Sequence, residues 1–373
     1  MPTRDIAIYS PYASQLYERR PAVSGGAEIQ TVMLAKALGG EGFAVGHVVL
    51  PIEREVADPP PGVQVLQRLP FAEGGGWRRQ LAEIGRVWRA VASADARVYV
   101  VRSSWAALGV IALFCALRRR RLIWASASNL DFGSAFFRGR RAELEMFRFG
   151  VRRAALTVVQ TDEQLELFGQ AFGSRRRAVR IPSFARLAEQ STVPAEAFLW
   201  TGRLEAIKAP MAYVELARAV PEAHFWMIPK FVEEQAEYGQ EVEAAAAELP
   251  NLELLDARPH AELMQLVERA VAIVNTSPAE GMPNTFLEGW ARGVPVLTYA
   301  FDPDRCVAEK GLGVAAGGSM ERFAEGAREL WATRGNRGDL ARHVRDHLAR
   351  THGPRAVGQR WAMAVRGLAG EGV

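Results

Sequence analysis

Short apolar runs alternate with amphipathic stretches along most of this chain. The first run, residues 5–9, ends at Ser10-Pro11, as expected for a strand that is buried on both faces and followed by a loop. Residues 27–38 then place their apolar positions on one helical face and end at a pair of glycines. Repeated alternation of this kind predicts mainly parallel sheets covered by helices on both faces.

The remaining elements are predicted from the same pattern, which pauses once. In the N-terminal half it predicts strands at 45–50, 98–101, 122–125 and 156–159, and helices at 77–93, 104–117, 141–153 and 162–171. Residues 182–196 are polar and lack periodicity, which predicts a linker. The pattern then resumes with strands at 198–201, 223–228, 252–255, 271–275 and 294–298, helices at 209–219, 231–248 and 284–292, and a last helical stretch at 355–369.

The chain is therefore predicted to be an α/β protein with two doubly wound, Rossmann-like domains. Its 373 residues exceed what one hydrophobic core usually organises. We expect an N-terminal domain over residues 1–185 and a C-terminal domain over residues 195–354, with a C-terminal helix at about 355–373 that can pack back on the first domain. Ligands of such sheets bind beyond the carboxyl ends of the strands, so two sheets facing each other would share a cleft.

Composition narrows the class of protein. Apolar residues make up 49% of the chain and charged residues 24%, which is ordinary for a globular protein in water. Cys115 and Cys306 stand alone, which argues against a disulfide framework or a thiolate metal site. The longest apolar run, at about 106–117, is shorter than the roughly 20 residues of a membrane span. With no signal-peptide pattern before the first strand, we expect a cytoplasmic protein.

Positive charge is concentrated in the N-terminal half. Residues 1–185 contain 26 Lys and Arg but only 16 Asp and Glu, although the whole chain has a formal net charge of only +4. Such a half can face an anionic membrane surface, a lipid pyrophosphate or a nucleic acid. The chain has only four lysines, however, so arginine can equally be its ordinary surface cation.

The segment 280–288 carries the most specific chemistry in the sequence. It follows a predicted strand and opens a helix, because Gly281 and Pro283 prevent regular helix before that point and Asn284 or Thr285 can cap it. The first backbone N–H groups of the helix, at the positive end of its dipole, suit a diphosphate.

Two carboxylates frame this helix entry. Glu280 lies on the loop before the helix, and Glu288 lies about one turn into it. Carboxylates accept charge-assisted hydrogen bonds from the vicinal hydroxyls of a sugar or a ribose. The alternative is an ordinary capped helix with an exposed glutamate.

This segment resembles the E-x7-E signature of the retaining family 4 glycosyltransferases, which have the GT-B fold. The resemblance implies that Glu280 contacts the donor sugar and is catalytic, that Glu288 contacts the ribose, and that the intervening backbone meets the phosphates. The residues it assigns to donor binding are Gly25, Gly26, Gly202, Gly281, Met282, Pro283, Asn284, Thr285 and Glu288.

Two further segments resemble the same family. Gly202-Arg203, after the strand at 198–201, and Lys208 match its strand–Gly-Arg–x4–Lys segment. By this resemblance Arg203 and Lys208 are catalytic and neutralise the diphosphate as the glycosidic bond breaks; otherwise they are two surface cations. Residues 24–28 are similar to its N-terminal GGAE loop, in which glycines let the backbone approach a ligand, although a tight turn before a helix has the same composition.

One family feature is missing. Many members carry a His-Asp after a middle strand of the first domain, but the matching stretch here, residues 122–132, has no histidine. Asn129 or Asp131 can fill part of that role, and Asp131 can equally be a cap or turn residue. Arg102, at the end of a predicted strand, can point into the cleft or cap the strand.

The sequence offers no convincing metal or cofactor motif. Asp302-Pro303-Asp304 has the D-x-D form of metal-dependent glycosyltransferases, but it lies on a turn late in the second domain, and we interpret it as structural. There is no P-loop, and the glycines at 311 and 313 lack dinucleotide-fold spacing. We expect no metal requirement and no cofactor besides a nucleoside diphosphate sugar as co-substrate.

The resemblance implies a retaining, hexosyltransferase-type enzyme. It would move a sugar from a nucleoside diphosphate sugar to the hydroxyl of a saccharide, lipid-linked or small-molecule acceptor, and the leaving phosphate would take the acceptor's proton. The alternatives are a nucleotide-sugar epimerase or a sugar-phosphate synthase on the same fold, or a catalytically silent nucleotide-sugar-binding protein. We expect no nucleic-acid partner. The arginines suggest peripheral contact with the inner face of a membrane, and a role in envelope or exopolysaccharide synthesis; they lie at 118–121, 138–141, 148, 152–153 and 175–177.

Overall fold

A computed structural model describes residues 2–18, 26–55, 57–137 and 139–370 of the chain. The chain forms two compact units. Unit 1 runs over Met1–Phe184 and Pro354–Val373, and unit 2 over Ala185–Gly353. Each unit is built on a parallel sheet.

Within the described ranges, unit 1 contains a sheet of seven parallel strands in the order β3-β2-β1-β4-β5-β6-β7. Because β1 lies beside β4, the connections run outwards in opposite directions from these two strands, which makes this point the topological switch of the sheet. The strands are β1 (Arg4–Tyr9), β2 (Val45–Val49), β3 (Val63–Gln67), β4 (Ala96–Arg102), β5 (Arg121–Ala125), β6 (Leu156–Val159) and β7 (Ala178–Arg180).

Helices cover both faces of this sheet. In β1, Ile6 and Ile8 enter one apolar cluster while Ala7 and Tyr9 enter another, which explains why the strand is apolar at successive positions. The helices of the N-terminal part are α1 (Gly26–Gly40), α2 (Gly76–Ala94), α3 (Ala107–Leu117), α4 (Arg141–Arg153) and α5 (Asp162–Phe172).

In the part of unit 2 that is described, six parallel strands pair in the order β10-β9-β8-β11-β12-β13. The topological switch of this sheet lies between β8 and β11. The strands are β8 (Ala197–Arg203), β9 (Phe225–Lys230), β10 (Leu252–Leu254), β11 (Ala270–Asn275), β12 (Val296–Thr298) and β13 (Gly313–Ala315). The helices are α6 (Pro210–Ala219), α7 (Ala236–Ala247), α8 (His260–Glu268), α9 (Asn284–Ala291), α10 (Cys306–Glu309), α11 (Met320–Thr333) and α12 (Gly338–His352).

The predicted fold class, two doubly wound α/β domains, is confirmed. The pattern did not predict the outer strands β3, β7 and β13 or the helices α8, α10, α11 and α12. The stretch at 182–196 has no regular secondary structure, but its first residues are not a free linker. The backbone of Phe184 is bound on both sides by the Gln30 side chain, at 2.7 and 2.8 Å, and Phe184 is buried in unit 1. None of the described helices combines the length and apolarity needed to cross a membrane.

The last helix, α13 (Pro354–Ala369), returns the chain to unit 1. It packs on α1 and β4. Val357, Trp361 and Val365 recur at four-residue spacing and complete the apolar cluster on that face of the sheet. Unit 1 therefore depends on residues from both ends of the chain.

We expect the substitution Trp361→Ala to destabilise unit 1 by about 3–5 kcal/mol, because it empties a large volume in a close-packed core. Trp361 is 3% exposed, whereas Met363, two residues on, is 63% exposed and provides a matched control as Met363→Ala. Urea unfolding followed by tryptophan fluorescence should show an earlier transition for Trp361→Ala alone. Equal shifts for both variants would contradict the role assigned to α13.

Candidate active site

The carboxyl ends of β8 and β11 bring together most of the residues that the sequence singled out. The strands β8 and β11 are parallel neighbours, ending at Arg203 and Asn275. The loops that follow them, 204–209 and 276–283, must therefore start side by side at the topological switch of unit 2. Ligands of doubly wound sheets bind at this position.

Lys208 and Glu280, 72 positions apart in the chain, form an ion pair across these two loops. The Lys208 Nζ donates a hydrogen bond to the Glu280 Oε1. Both side chains are partly buried, so the pair is shielded from solvent but still open to a ligand. A charge-assisted pair at this depth is stronger than one on an open surface.

Thr276 ties the same two loops together through its hydroxyl group. The Thr276 Oγ1 accepts a hydrogen bond from the Trp200 Nε1 at 2.9 Å and donates one to the backbone carbonyl of Lys208 at 2.6 Å. Ala209, directly after the lysine, has a φ of 44°, and Pro210 then begins α6. The backbone from which the Lys208 side chain extends is thus held in place on both sides.

Arg203 stands apart from this pair. Its Nε forms an ion pair with the carboxylate of Glu205, and most of its side chain is exposed. Its strand neighbour in the register of β8 and β9 is Lys230, and Gly202 precedes it in β8. Arg203 at the end of β8 and Lys230 at the end of β9 are therefore adjacent cations, of which only Lys230 was missed by the sequence motif.

Helix α9 begins at Asn284, with Pro283 at its N-cap position and no side-chain cap. The expectation that Asn284 or Thr285 is the N-cap is therefore wrong, because both have already entered the helix. Gly281 and Pro283 are buried, whereas Met282, Asn284 and Thr285 are partly exposed. Five of the six predicted donor-binding residues of this segment, all except Glu288, lie at or just before the N-terminus of the helix.

A glycine allows α9 to lie close to the sheet. A Cβ atom on Gly289 would come within 2.7 Å of the Ile273 side chain in β11. Trp290, the next residue, is fully buried and donates a hydrogen bond from its Nε1 to the Leu312 carbonyl at 3.0 Å. The N-terminus of α9 is thereby held over the carboxyl end of β11.

Glu288 lies one turn into α9 among basic side chains. Burial raises its pKa to about 7, although the positive charges of Arg292, Arg186 and Lys230 act in the opposite direction. The Nε2 of His260 is 3.9 Å from its Oε1, and burial lowers the pKa of this histidine. Lys230 could have been recognised from the sequence, because it is a cation just after a predicted strand. The other neighbours of Glu288 lie in no motif that would have indicated their role.

In unit 1, Arg102 is the last residue of β4, and Asn129 and Asp131 lie shortly after β5. The buried carboxylate of Asp131 accepts hydrogen bonds from the Ser104 hydroxyl at 2.6 Å and from the backbone N–H groups of Ala127 and Ser128 at 2.6 and 3.0 Å. This is the turn-residue role that the sequence left open.

Burial lowers the pKa of Arg102 to about 10, while the negative charges of Asp131 and Glu28 act against the decrease. The Arg102 Nε and the Asn129 Oδ1 are buried without a hydrogen-bond partner in the described part of the chain. Gly26 is the first residue of α1, and Gly25 lies outside the described residues.

A row of aromatic rings, not anticipated from the sequence, lies after the strands of unit 1. Tyr12 follows β1, Phe71 follows β3 and Trp105 follows β4. The Tyr12 ring lies with its centroid 5.4 Å from that of Phe71 and 5.5 Å from that of Trp105. Tyr12 is about half exposed, so this row presents an apolar ring surface at the carboxyl edge of the sheet.

The D-x-D sequence has a structural role at its first aspartate. Asp302 accepts hydrogen bonds from the backbone N–H groups of Val307 and Ala308, at 2.8 and 3.0 Å. Across the described ranges, no three His, Cys, Asp or Glu side chains form a group that could hold a metal ion.

Both the fold and the chain's domains match known glycosyltransferases. Residues 25–183 match the family model described as a glycosyl transferase 4-like domain, and residues 195–333 match that of the glycosyl transferases group 1. A sequence comparison with curated proteins gives no match.

Several solved structures share the architecture. Anabaena HepE in complex with UDP and glucose superposes with a TM-score of 0.75 at 16% identity, covering 98% of this chain and 100% of its own. Sucrose-phosphate synthase from Thermosynechococcus elongatus gives a TM-score of 0.78 at 14% identity, covering 99% and 100%. WaaG, a glycosyltransferase involved in lipopolysaccharide biosynthesis, gives 0.68 at 16% identity, covering 97% and 100%.

The solved structures show the GT-B fold, and the two domain matches show glycosyltransferase domains. The two domain matches together span most of the chain, in the same order as the two units. The chain therefore carries a glycosyl transferase 4-like domain followed by a glycosyl transferases group 1 domain.

The environment of Glu288 predicts a specific pH dependence of stability. A carboxyl group whose pKa is raised from 4.5 to about 7 by folding holds its proton more tightly in the folded chain. Its stabilising contribution is complete below pH 4.5 and is lost as the pH rises to about 7. We therefore expect Glu288→Gln, which cannot ionise, to gain stability relative to the wild type across this window, by up to about 3 kcal/mol.

Chemical denaturation at several pH values measures this difference directly. The contributions of the other titrating groups cancel when the two proteins are compared at each pH. Glu248→Gln, at an exposed carboxylate in the same unit, serves as the control and should parallel the wild type. Parallel curves for the wild type and Glu288→Gln would show that Glu288 ionises normally.

Proposed function

We propose that this protein transfers a sugar from a nucleoside diphosphate sugar to an acceptor hydroxyl with retention of anomeric configuration. The observation that carries the proposal is the Lys208–Glu280 pair at the topological switch of unit 2. It combines a cation for a phosphate with a carboxylate for sugar hydroxyls, beside the N-terminus of α9. UDP-sugars are the first donors to test, since HepE has been solved with UDP and glucose and with UDP-glucose.

In this proposal, different residues of unit 2 bind different parts of the donor. Lys208 and Arg203 meet the diphosphate together with the first N–H groups of α9, and stabilise the negative charge that grows as the glycosidic bond breaks. Glu280 accepts hydrogen bonds from the sugar hydroxyls. Glu288 accepts hydrogen bonds from the ribose, and Lys230 adds positive charge beside it.

The anomeric configuration is retained if the acceptor hydroxyl attacks the anomeric carbon of the donor sugar from the same face as the departing phosphate. The departing phosphate then takes the proton of the acceptor hydroxyl, so no side chain has to act as a strong base. The negative charge on the departing diphosphate is stabilised by Arg203, Lys208 and the N-terminus of α9. In metal-dependent glycosyltransferases a divalent cation has this role. We therefore propose that the reaction is metal-independent.

Unit 1 is proposed to bind the acceptor at the carboxyl edge of its sheet. The aromatic row formed by Tyr12, Phe71 and Trp105 can stack against the apolar face of a sugar ring. Arg102 can donate a hydrogen bond from its unpaired Nε to a polar substituent. A place in envelope or exopolysaccharide synthesis is part of the proposal, and the excess of arginine in the N-terminal half supports it.

Product analysis with a panel of UDP-, GDP- and ADP-sugars tests the proposal. A donor that binds should raise the melting temperature of the protein. Transfer to an acceptor, or slow donor hydrolysis without one, should proceed unchanged in the presence of a chelator. Proton NMR coupling constants of the new glycosidic bond should match the anomeric configuration of the donor. Inversion would contradict the proposed retention, an epimerised donor would indicate the epimerase alternative, and binding without any turnover would indicate a catalytically silent binding protein.

We expect Lys208→Ala and Glu280→Gln each to lower turnover by roughly 10²–10³-fold, because each removes an interaction that strengthens in the transition state. Lys310→Ala and Glu248→Gln remove the same charges at exposed positions of unit 2 and should retain wild-type turnover. The readout is donor consumption at saturating donor. Wild-type rates in both site variants would exclude this location for the active site.

A further inference from the structure

Helix α2 of unit 1 carries apolar side chains on a face that covers no part of the protein core. Its buried face consists of Val87, Ala90, Val91 and Ala94. A second stripe, Trp77, Leu81 and Ile84, recurs at three- or four-residue spacing on another side of the helix. These three side chains are 65%, 57% and 42% exposed. We call them the α2 stripe.

The neighbouring helix α3 also carries exposed apolar side chains. Trp88 continues the spacing of the α2 stripe and packs edge-on against Phe114 of α3, with ring centroids 5.2 Å apart. On α3 itself, Leu113 and Leu117 are 46% and 66% exposed. Scattered single apolar residues are normal on a protein surface, but five large ones on two adjacent helices need an explanation.

The charge beside the α2 stripe is strongly positive. Helix α2 carries four arginines, at 78, 79, 86 and 89, and a single carboxylate, Glu83. That carboxylate is already paired with the buried Arg68 at 2.6 Å. Helical spacing places Arg78 and Arg89 on the same exposed side, next to the stripe. Three more arginines, at 118, 119 and 120, follow the end of α3.

We propose that α2 docks unit 1 on an anionic lipid bilayer. The α2 stripe enters the boundary between headgroups and acyl chains, with Trp77 at the depth that tryptophan favours, and the arginines bind the lipid phosphates. A helix with aromatic and aliphatic residues on one side and arginines beside them is typical of such interfacial helices. The arginines of α2 favour a lipid surface over a protein partner, because the helix carries four arginines and a single carboxylate. An anionic bilayer offers lipid phosphates to all of these arginines at once.

Co-sedimentation of the full-length protein with vesicles tests this inference. Vesicles of phosphatidylcholine and phosphatidylglycerol in equal parts should bind the wild type, and vesicles of phosphatidylcholine alone should bind it much more weakly. Binding should weaken with added salt, since salt screens the arginine–phosphate attraction. The triple variant Trp77→Ser, Leu81→Ser, Ile84→Ser should lose about tenfold or more in partition coefficient.

Matched control variants separate this surface from general effects. Leu165→Ser, Val193→Ser and Met363→Ser together replace three exposed apolar residues elsewhere and should bind like the wild type. Arg78→Gln with Arg89→Gln should cost about fivefold per charge, whereas Arg218→Gln with Arg360→Gln, at exposed positions outside α2 and α3, should cost much less. A circular dichroism melt verifies that each variant is folded.

Wild-type binding by the α2 stripe variant would overturn the proposal, as would failure of the wild type to bind anionic vesicles. Concentration-dependent dimerisation that the stripe variant abolishes would instead assign the face to a second copy of the chain. UDP binding, measured without lipid, depends on unit 2 and tests the proposed donor chemistry separately from the docking helix.

Discussion

The adjacency of β8 and β11 is the constraint on which the candidate site depends. These two strands end side by side, and the Thr276 hydroxyl joins their loops by bonding to the Trp200 indole on one side and the Lys208 carbonyl on the other. With the backbone of Lys208 held in this way, its ammonium group donates a hydrogen bond to Glu280. The two loops are therefore joined both by Thr276 and by this ion pair.

Glu288 shows that burial and charge act in opposite directions at one residue. A carboxyl group surrounded by Arg186, Lys230 and Arg292 would ordinarily have a low pKa, yet burial raises it to about 7. Such a group changes charge near neutral pH, so small changes in its solvation decide whether it is ionised. A bound polyol, which donates hydrogen bonds to carboxylate oxygens, favours the ionised form.

The sequence predicted the fold class and several residues that the structure brings together in the candidate site, but not their contacts. Strands buried on both faces, such as β1, are read from continuous apolar runs, whereas the edge strand β3 has mixed exposure and gives no such run. The spacing of Phe323, Ala327 and Leu330 is that of an amphipathic helix and would have predicted α11. The neighbours of Glu288 come from separate elements, so only the strand order and helix packing bring them together.

The two sheets share a strand order around their switch points but differ in the chemistry placed there. In unit 2 the loops after β8 and β11 carry Lys208 and Glu280, a pair that suits a phosphate and a polyol. In unit 1 the loops after β1 and β4 carry the rings of Tyr12 and Trp105, and the carboxylate nearby, Asp131, is already bonded to Ser104 and the backbone. The charged residues of unit 2 suit a diphosphate, and the aromatic rings of unit 1 suit the neutral face of a sugar ring. This difference supports the proposed binding of the donor by unit 2 and of the acceptor by unit 1, on one shared topology.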